Sequence, residues 1–192
     1  MTSAAFFDLD NTLTKQDSLL PWLSTLKGYF PVAKALFQAA ITASAPSSPP
    51  DYRGGFKAAL LEKILVGVSE KEAAEAGRKL ASTIIWNPPL LEKLHQHRRE
   101  GTKIIIITGA LNVYVPTLLA DVGYDDLIST EMEVQAGILT GKILGGNCVR
   151  AHKAERMKQY IAQHGPFPNS WGYGNRPHDE AMLKLVDNPV FV

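Results

Sequence analysis

The stretch AAFFDLDNTLT, residues 4–14, decides the fold, because an apolar run ends there in an acidic loop. Ala4 to Phe7 has the length and character of a short buried strand. Similar strand-like runs follow at Lys103 to Ile107, Leu127 to Ser129, Ser170 to Tyr173 and Val190 to Val192. Helical patterns fill the last three gaps, at 111–121, 153–163 and 180–186. This alternation predicts an α/β fold with a doubly wound (Rossmann-like) parallel sheet.

The first gap between strands is long and helical in pattern, which predicts an inserted α-helical cap after the first strand. Its predicted helices are Leu19 to Leu26, Pro31 to Ala43, Tyr52 to Leu65 and Ser69 to Ile85. The Pro- and Ser-rich segment SAPSSPP, residues 44–50, is typical of a linker. We therefore assign residues 17–87 to the cap, and residues 1–16 and 88–192 to the core domain. A small β-hairpin, 131–135 with 138–144, is expected around Ala136 and Gly137.

Composition limits the class of protein. The 192 residues are 45% hydrophobic, which suffices for a globular core. Twenty basic and nineteen acidic residues give a net charge of +1, so no broad positive field favours a nucleic-acid partner. The single cysteine, Cys148, and a start without a signal-peptide pattern lead us to expect a reducing, cytoplasmic setting. The oligomeric state does not follow from the sequence.

The most apolar segment, Tyr29 to Ala45, is interrupted by Pro31 and Lys34 and is too short for a membrane span. A buried or partner-facing helix is one interpretation. Peripheral contact with lipid through an amphipathic face stays open as the alternative.

Polar side chains follow the predicted strands, at the edge where open parallel sheets bind ligands. They are Asp8, Asp10 and Thr12 after the first strand, Thr108 and Gly109 after the second, Lys153 at a helix start, and Asn175 and Asp179 in the loop GNRPHD. One carboxylate of a close pair is suited to attack, and the other, kept neutral, to protonate a leaving group. Attack on phosphorus requires the substrate charge to be neutralised. Mg²⁺ bound by carboxylate and carbonyl oxygens provides this, with Lys153 and Thr108 on the other phosphate oxygens.

Taken in order, DLDNT, TGA, the helix-start lysine and GNxxxD resemble the motifs of the haloacid dehalogenase (HAD) superfamily, and within it subfamily IB, which is phosphoserine phosphatase-like. The resemblance covers the whole chain. It implies that Asp8 is a nucleophile that forms an aspartyl-phosphate, and that Asp10 is the acid and base. It also implies that Thr108, Gly109 and Lys153 bind the phosphoryl group.

The last motif departs from the common family pattern GDSxxD, because Asn175 stands where a carboxylate is usual. The resemblance implies metal ligation by Asp8, the Asp10 carbonyl and this loop. An amide oxygen ligates Mg²⁺ with less electrostatic attraction, so either Asn175 or Asp179 is the main ligand of the loop. A catalytically silent phosphate-binding protein is the alternative that this substitution raises.

The resemblance implies a small phosphorylated substrate, such as phosphoserine, whose amine would meet Asp17. The cap arginine that receives the substrate carboxylate in that subfamily has no clear counterpart, and the stretch FKAALLEKIL offers Lys63, with Arg53 just before it. Asp17 is equally explained as a helix N-terminal acid. A lipid-headgroup phosphatase is the second alternative, prompted by the apolar segment from Tyr29. His95, His97 and His164 are expected at the surface.

Overall fold

The computed structural model describes residues 2–43 and 52–192. In this part of the chain six strands form one sheet: β1 (Ala4–Phe7), β2 (Lys103–Leu111), β3 (Asp126–Gln135), β4 (Ile138–Leu144), β5 (Ser170–Gly174) and β6 (Asn188–Phe191). Their order is β4-β3-β2-β1-β5-β6, and all neighbours are parallel except β3 and β4. The predicted parallel sheet and its antiparallel hairpin are confirmed.

The helices among the described residues are α1 (Leu19–Lys27), α2 (Tyr29–Ala43), α3 (Tyr52–Leu65), α4 (Glu70–Ala81), α5 (Pro88–Arg99), α6 (Val115–Leu118), α7 (Arg150–His164) and α8 (Glu180–Leu183). A capping box of Ser69 and Glu72 begins α4. The predicted linker at residues 44–50 lies outside the described residues. None of the helices described here is long and apolar enough to cross a membrane.

The central strand β1 divides the core into two halves. Its side chains alternate between the faces of the sheet, and all four are fully buried. Ala5 and Phe7 pack with α5, α6 and the cap, whereas Ala4 and Phe6 pack with α7 and α8. Burial on both faces explains why β1 is continuously apolar, as is typical of a parallel sheet covered on both sides.

The cap helices α1 to α4 are joined to the core by two connecting segments that lie side by side. Thr14 forms an isolated antiparallel bridge with Trp86, and the Lys15 amide donates to the Ile85 carbonyl at 2.8 Å. Trp22 of α1 also stacks on Tyr114 of the core, with ring centroids 4.4 Å apart. The division that we propose after residues 16 and 87 falls beside these segments.

Two local predictions are wrong. The segment predicted as a helix over 111–121 is extended through Leu111, which pairs with Thr130 of β3, and only Val115–Leu118 is helical. Pairing with the neighbouring strand outweighs helical preference there. His97 is buried rather than exposed, because it packs against Phe7 and bonds the Tyr173 hydroxyl at 2.7 Å.

Candidate active site

A tight turn at Leu9–Leu13 places the acidic residues at the carboxyl edge of β1. The Asp8 amide donates to the Tyr173 carbonyl at 2.9 Å, and the Phe7 ring stacks on the Tyr173 ring at 4.3 Å. Asn11 takes a left-handed conformation with φ of 59°, which asparagine tolerates better than most residues. The turn therefore folds back over the end of the sheet and fixes Asp8.

The Asp8 carboxylate is buried and contacted on both oxygens. Lys153 Nζ donates to Oδ1 at 2.7 Å, and the Thr12 hydroxyl donates to Oδ2 at 3.0 Å. Burial raises the pKa of Asp8, while the adjacent ammonium of Lys153 lowers it. Burial alone lowers the pKa of Lys153, but the carboxylates of Asp8 and Asp179 together raise it above its usual value. Lys153 is therefore held as a cation beside Asp8.

Asp179 organises the loop that follows β5. Its Oδ1 accepts from Lys153 Nζ at 2.6 Å, and its Oδ2 accepts from the Asn175 amide N–H at 2.9 Å. Both oxygens are thereby used, and the residue is 1% exposed. Gly174 allows this packing, because a Cβ there would lie 2.6 Å from the Asp179 Cβ. Asp179 thus positions both Lys153 and the Asn175 loop.

Asn175 brings a third polar group to Asp8 and Asp10. Its Nδ2 lies 3.4 Å from Asp8 Oδ2 and 3.2 Å from the Asp10 carbonyl oxygen. Rotating the amide by 180° exchanges its nitrogen and oxygen, so the same placement offers three oxygens around one point. Such a set suits a hard divalent cation. Among the described residues no cluster of three or more His, Cys, Asp and Glu side chains could hold a metal ion. The set around Asn175 is of a different kind, since only one of its three groups is a carboxylate.

Asp10 differs from Asp8 in its electrostatics. Burial raises the pKa of Asp10 to about 7, and the charge of Asp17 adds to the effect. The Ser18 amide N–H donates to Asp10 Oδ1 at 3.0 Å and orients the carboxyl group. One carboxyl is thus paired with a lysine, and the raised pKa of the other allows it to hold a proton near neutral pH.

Thr108 and Gly109 lie within the last part of β2, which extends past the predicted end at Ile107, and they line the same cavity as Asp8. The Thr108 side chain is fully buried, and its Oγ1 accepts from the Ala110 amide at 3.0 Å. A Cβ at Gly109 would lie 2.7 Å from Val149 Cγ1, so the close approach of the next loop requires glycine. Together with Lys153 these residues line a cavity of about 340 Å³.

The cap closes this cavity with residues that the sequence only partly predicts. Asp17 lines it, and its Oδ1 also accepts from the Leu19 amide at 2.9 Å, so both interpretations of this residue hold geometrically. Lys63 does not line it: its side chain is exposed on another side of α3, near Lys27 and Lys34. The expectation for Lys63 is therefore wrong in position.

Lys57 is the cap cation that reaches the site, and sequence reasoning missed it. Its Nζ donates to the Gly109 carbonyl at 2.6 Å and to Asn147 Oδ1 at 2.9 Å. Burial lowers the pKa of Lys57 to about 8. The available signal was helical spacing, since Lys57 shares a stripe with the buried residues Leu60, Leu61 and Ile64, whereas Lys63 does not.

The doubly wound sheet carries paired carboxylates at its carboxyl edge beneath a helical cap, an arrangement suited to hydrolytic chemistry. The sequence profile of the haloacid dehalogenase-like hydrolases matches residues 5–184, which contain every core residue of the site. The chain belongs to the haloacid dehalogenase-like hydrolase family. The predicted membership, the α/β fold and the enzyme class are confirmed.

Two relatives cover nearly the whole chain. It is 29% identical over 206 residues to the histidinol-phosphatase of Neisseria meningitidis serogroup C (strain 8013), covering 100% of this chain and 90% of that protein. It is 25% identical over 184 residues to a phosphoserine phosphatase of Idiomarina loihiensis, covering 94% and 77%.

Solved structures share the fold. A Bordetella pertussis Tohama I protein of unknown function superposes with a TM-score of 0.78 at 21% identity, covering 98% of this chain and 89% of the other. A phosphoserine phosphatase in its apo form superposes with a TM-score of 0.68 at 14% identity, covering 100% and 86%.

Proposed function

We propose that this protein is a Mg²⁺-dependent phosphatase that hydrolyses a small phosphomonoester through an aspartyl-phosphate on Asp8. The observation that carries the proposal is the pairing of two unlike carboxyls in one cavity. Asp8 is held 2.7 Å from a buried lysine, and burial raises the pKa of Asp10 to about 7. The names of both relatives, a histidinol-phosphatase and a phosphoserine phosphatase, support phosphate ester hydrolysis.

In the first step an Asp8 oxygen forms a bond to phosphorus as the ester P–O bond breaks. Asp10 gives its proton to the departing alcohol oxygen, which leaves as a neutral alcohol. In the second step Asp10 takes a proton from water, and that oxygen attacks the phosphorus. The acyl-phosphate bond breaks, which restores the Asp8 carboxylate and releases inorganic phosphate. Lys153 and the Thr108 hydroxyl would hold the non-bridging oxygens through both steps.

The metal would be held by Asp8, the Asp10 carbonyl and Asn175, whose side-chain amide lies 3.4 Å from Asp8 Oδ2 and 3.2 Å from the Asp10 carbonyl oxygen. When bound, Mg²⁺ supplies charge that neutralises the phosphoryl oxygens. Asp179 would act indirectly, since it holds Lys153 and the backbone of Asn175. Asp17 would pair with a cationic group of the leaving alcohol.

The test is phosphate release from an aryl phosphate and from a panel that includes phosphoserine and histidinol phosphate, with Mg²⁺ or with a chelator. We expect turnover only with the metal. Binding of inorganic phosphate without turnover of any ester, at any Mg²⁺ concentration, would instead support the silent phosphate-binding alternative.

A further inference from the structure

A second cavity, of about 380 Å³, lies among the cap helices and adjoins the active site. It is bounded by α1, α2 and α3. Three residues line both cavities: Asp17, Leu19 and Lys57. The remaining lining, which we term the tail pocket, consists of Leu20, Pro21, Leu36, Phe56 and Leu60.

The lining changes from charged to apolar on passing from the active-site cavity to the tail pocket. Asp8 and Lys153 lie at the phosphoryl end, and Asp17 and Lys57 lie at the junction. Every side chain of the tail pocket is apolar. Each cavity falls in the range of roughly 300–1,000 Å³ that is typical of small-molecule sites.

The tail pocket is not closed off as a core void would be. Leu60 is buried, but Leu20 is 42% exposed, so the apolar wall extends to the surface. Covering an apolar wall that is in contact with water by an apolar ligand lowers the free energy of the complex. Because the tail pocket adjoins the active-site cavity, part of the substrate itself is the ligand best placed to cover these walls.

We infer that the physiological substrate is an amphiphilic phosphomonoester, whose leaving alcohol carries an alkyl chain that occupies the tail pocket. The inference rests on the proposed phosphatase function. The phosphoryl group would lie at Asp8, the polar part of the alcohol between Asp17 and Lys57, and the chain among Leu36, Phe56 and the other tail-pocket residues. A purely polar alcohol leaves that surface uncovered.

The test is hydrolysis of n-alkyl phosphates from ethyl to octyl, which are short enough to stay monomeric at working concentrations. Each added methylene that enters the pocket should raise kcat/KM by about two- to fourfold until the pocket is full. Values that do not rise from ethyl to octyl phosphate, in a protein that hydrolyses both, overturn the inference and leave the phosphatase proposal intact.

A binding measurement separates the inference from catalysis. If no ester is hydrolysed, the phosphatase proposal fails, and calorimetric titration with n-alkylphosphonates still tests the pocket. Kd that falls with chain length supports it, and Kd that is independent of chain length overturns it.

Substitutions locate the effect. Leu36→Trp fills the pocket and should lower the octyl-to-ethyl ratio of kcat/KM by about tenfold or more. Phe37→Trp is the matched control, because Phe37 is the next residue of α2, is 69% exposed and lines neither cavity. If Leu36→Trp does not fold, Leu20→Asp at the exposed rim serves instead. A ratio that changes equally in the control overturns the assignment.

A further arm distinguishes the source of the amphiphile. Oleoyl lysophosphatidic acid is presented in phosphatidylcholine vesicles beside octyl phosphate in solution. Phosphate release from the vesicles assigns a membrane source, and release from octyl phosphate alone assigns a soluble one. Release from neither, with ethyl phosphate hydrolysed, overturns the inference.

Discussion

The core wall and the cap wall of the active-site cavity are built differently. On the core side Lys153 bonds both Asp8 and Asp179, and these three residues and Thr108 are each at most 4% exposed. On the cap side Asp17 is exposed, and most of the remaining surface is apolar. A buried, fully satisfied network holds reacting groups in one geometry. We therefore expect the core to determine the reaction and the cap to determine the choice of substrate.

Removal of the proposed core nucleophile should have the largest effect on activity. Asp8→Asn should lower phosphate release by a factor on the order of 10⁴ or more, because an amide does not form the acyl-phosphate. Asp121→Asn, at an exposed carboxylate that does not line the cavity, should leave it unchanged. Both are measured as phosphate release with an aryl phosphate. Activity of Asp8→Asn near that of the control would rule out the covalent route.

Lys153 tests whether the core network is as tightly coupled as its geometry indicates. Lys153→Met leaves two buried carboxylates facing each other without a cation, at a cost of about 3–5 kcal/mol in the free energy of unfolding. Lys158→Met, on the exposed side of the same helix, should change it by less than about 0.5 kcal/mol. Urea unfolding at pH 7 measures both. Similar values for the two variants would contradict a coupled network.

Asp10 lies at the boundary between the two walls and should destabilise the fold when ionised. Its folded pKa of about 7 lies above the ordinary 3.8, so the folded protein keeps a proton that the unfolded chain has released. The contribution is fully present below pH 4 and is lost as the pH rises to 7. Relative to wild type, Asp10→Asn should therefore gain about 4 kcal/mol between pH 4 and pH 8.

Urea unfolding in the presence of a chelator checks this, with Asp121→Asn as the control. Stability curves of wild type and Asp10→Asn that run parallel with pH would contradict the raised pKa. The same variant should lose more activity on alkyl than on aryl phosphates, because a poor leaving group depends more on protonation.

The core was predictable because its signals are local. The strand Ala4–Phe7 and the carboxylates after it are adjacent in sequence, and the rule that ligands collect at the carboxyl edge of a parallel sheet joins them to Thr108 and Asn175. The approach of Asn175 to Asp8, at 3.4 Å between Nδ2 and Oδ2, follows from the pairing of β1 with β5.

The cap was harder because its contribution depends on how one helix lies over the core. Lys57 and Lys63 are six residues apart on α3, and helical spacing places Lys57 on the apolar stripe without showing that this stripe lies over β2. His97 was misassigned for a similar reason, since its burial depends on Trp171 and Tyr173, which are distant in sequence. Contacts of this kind are tertiary, and the helical pattern alone does not fix them.

Asn175 tests how the core side of the cavity would bind Mg²⁺. Asn175→Asp adds a charge beside Asp8 and the Asp10 carbonyl, so the Mg²⁺ concentration for half-maximal activity should fall about fivefold. Asp179→Asn should raise it, because Asp179 holds the Asn175 backbone. Titrations of activity and calorimetric Mg²⁺ binding measure both. An unchanged requirement in Asn175→Asp, with binding destroyed in Asp179→Asn, would make Asp179 the ligand.

Among the described residues, Lys57 is the one cap cation that lines the active-site cavity. Its replacement should have the smallest effect on phosphate binding, because Lys153 already supplies a positive charge there. Lys57→Met should weaken binding of inorganic phosphate about fivefold at pH 7. Since burial lowers the pKa of Lys57 to about 8, its ammonium is lost above that pH, and the difference from wild type should shrink by pH 9. Lys63→Met, from the exposed side of the same helix, is the matched control and should bind phosphate as wild type does at both pH values. Calorimetric titration decides the matter: weaker binding in Lys63→Met and not in Lys57→Met would show that the cap closes over the core with a different face of α3.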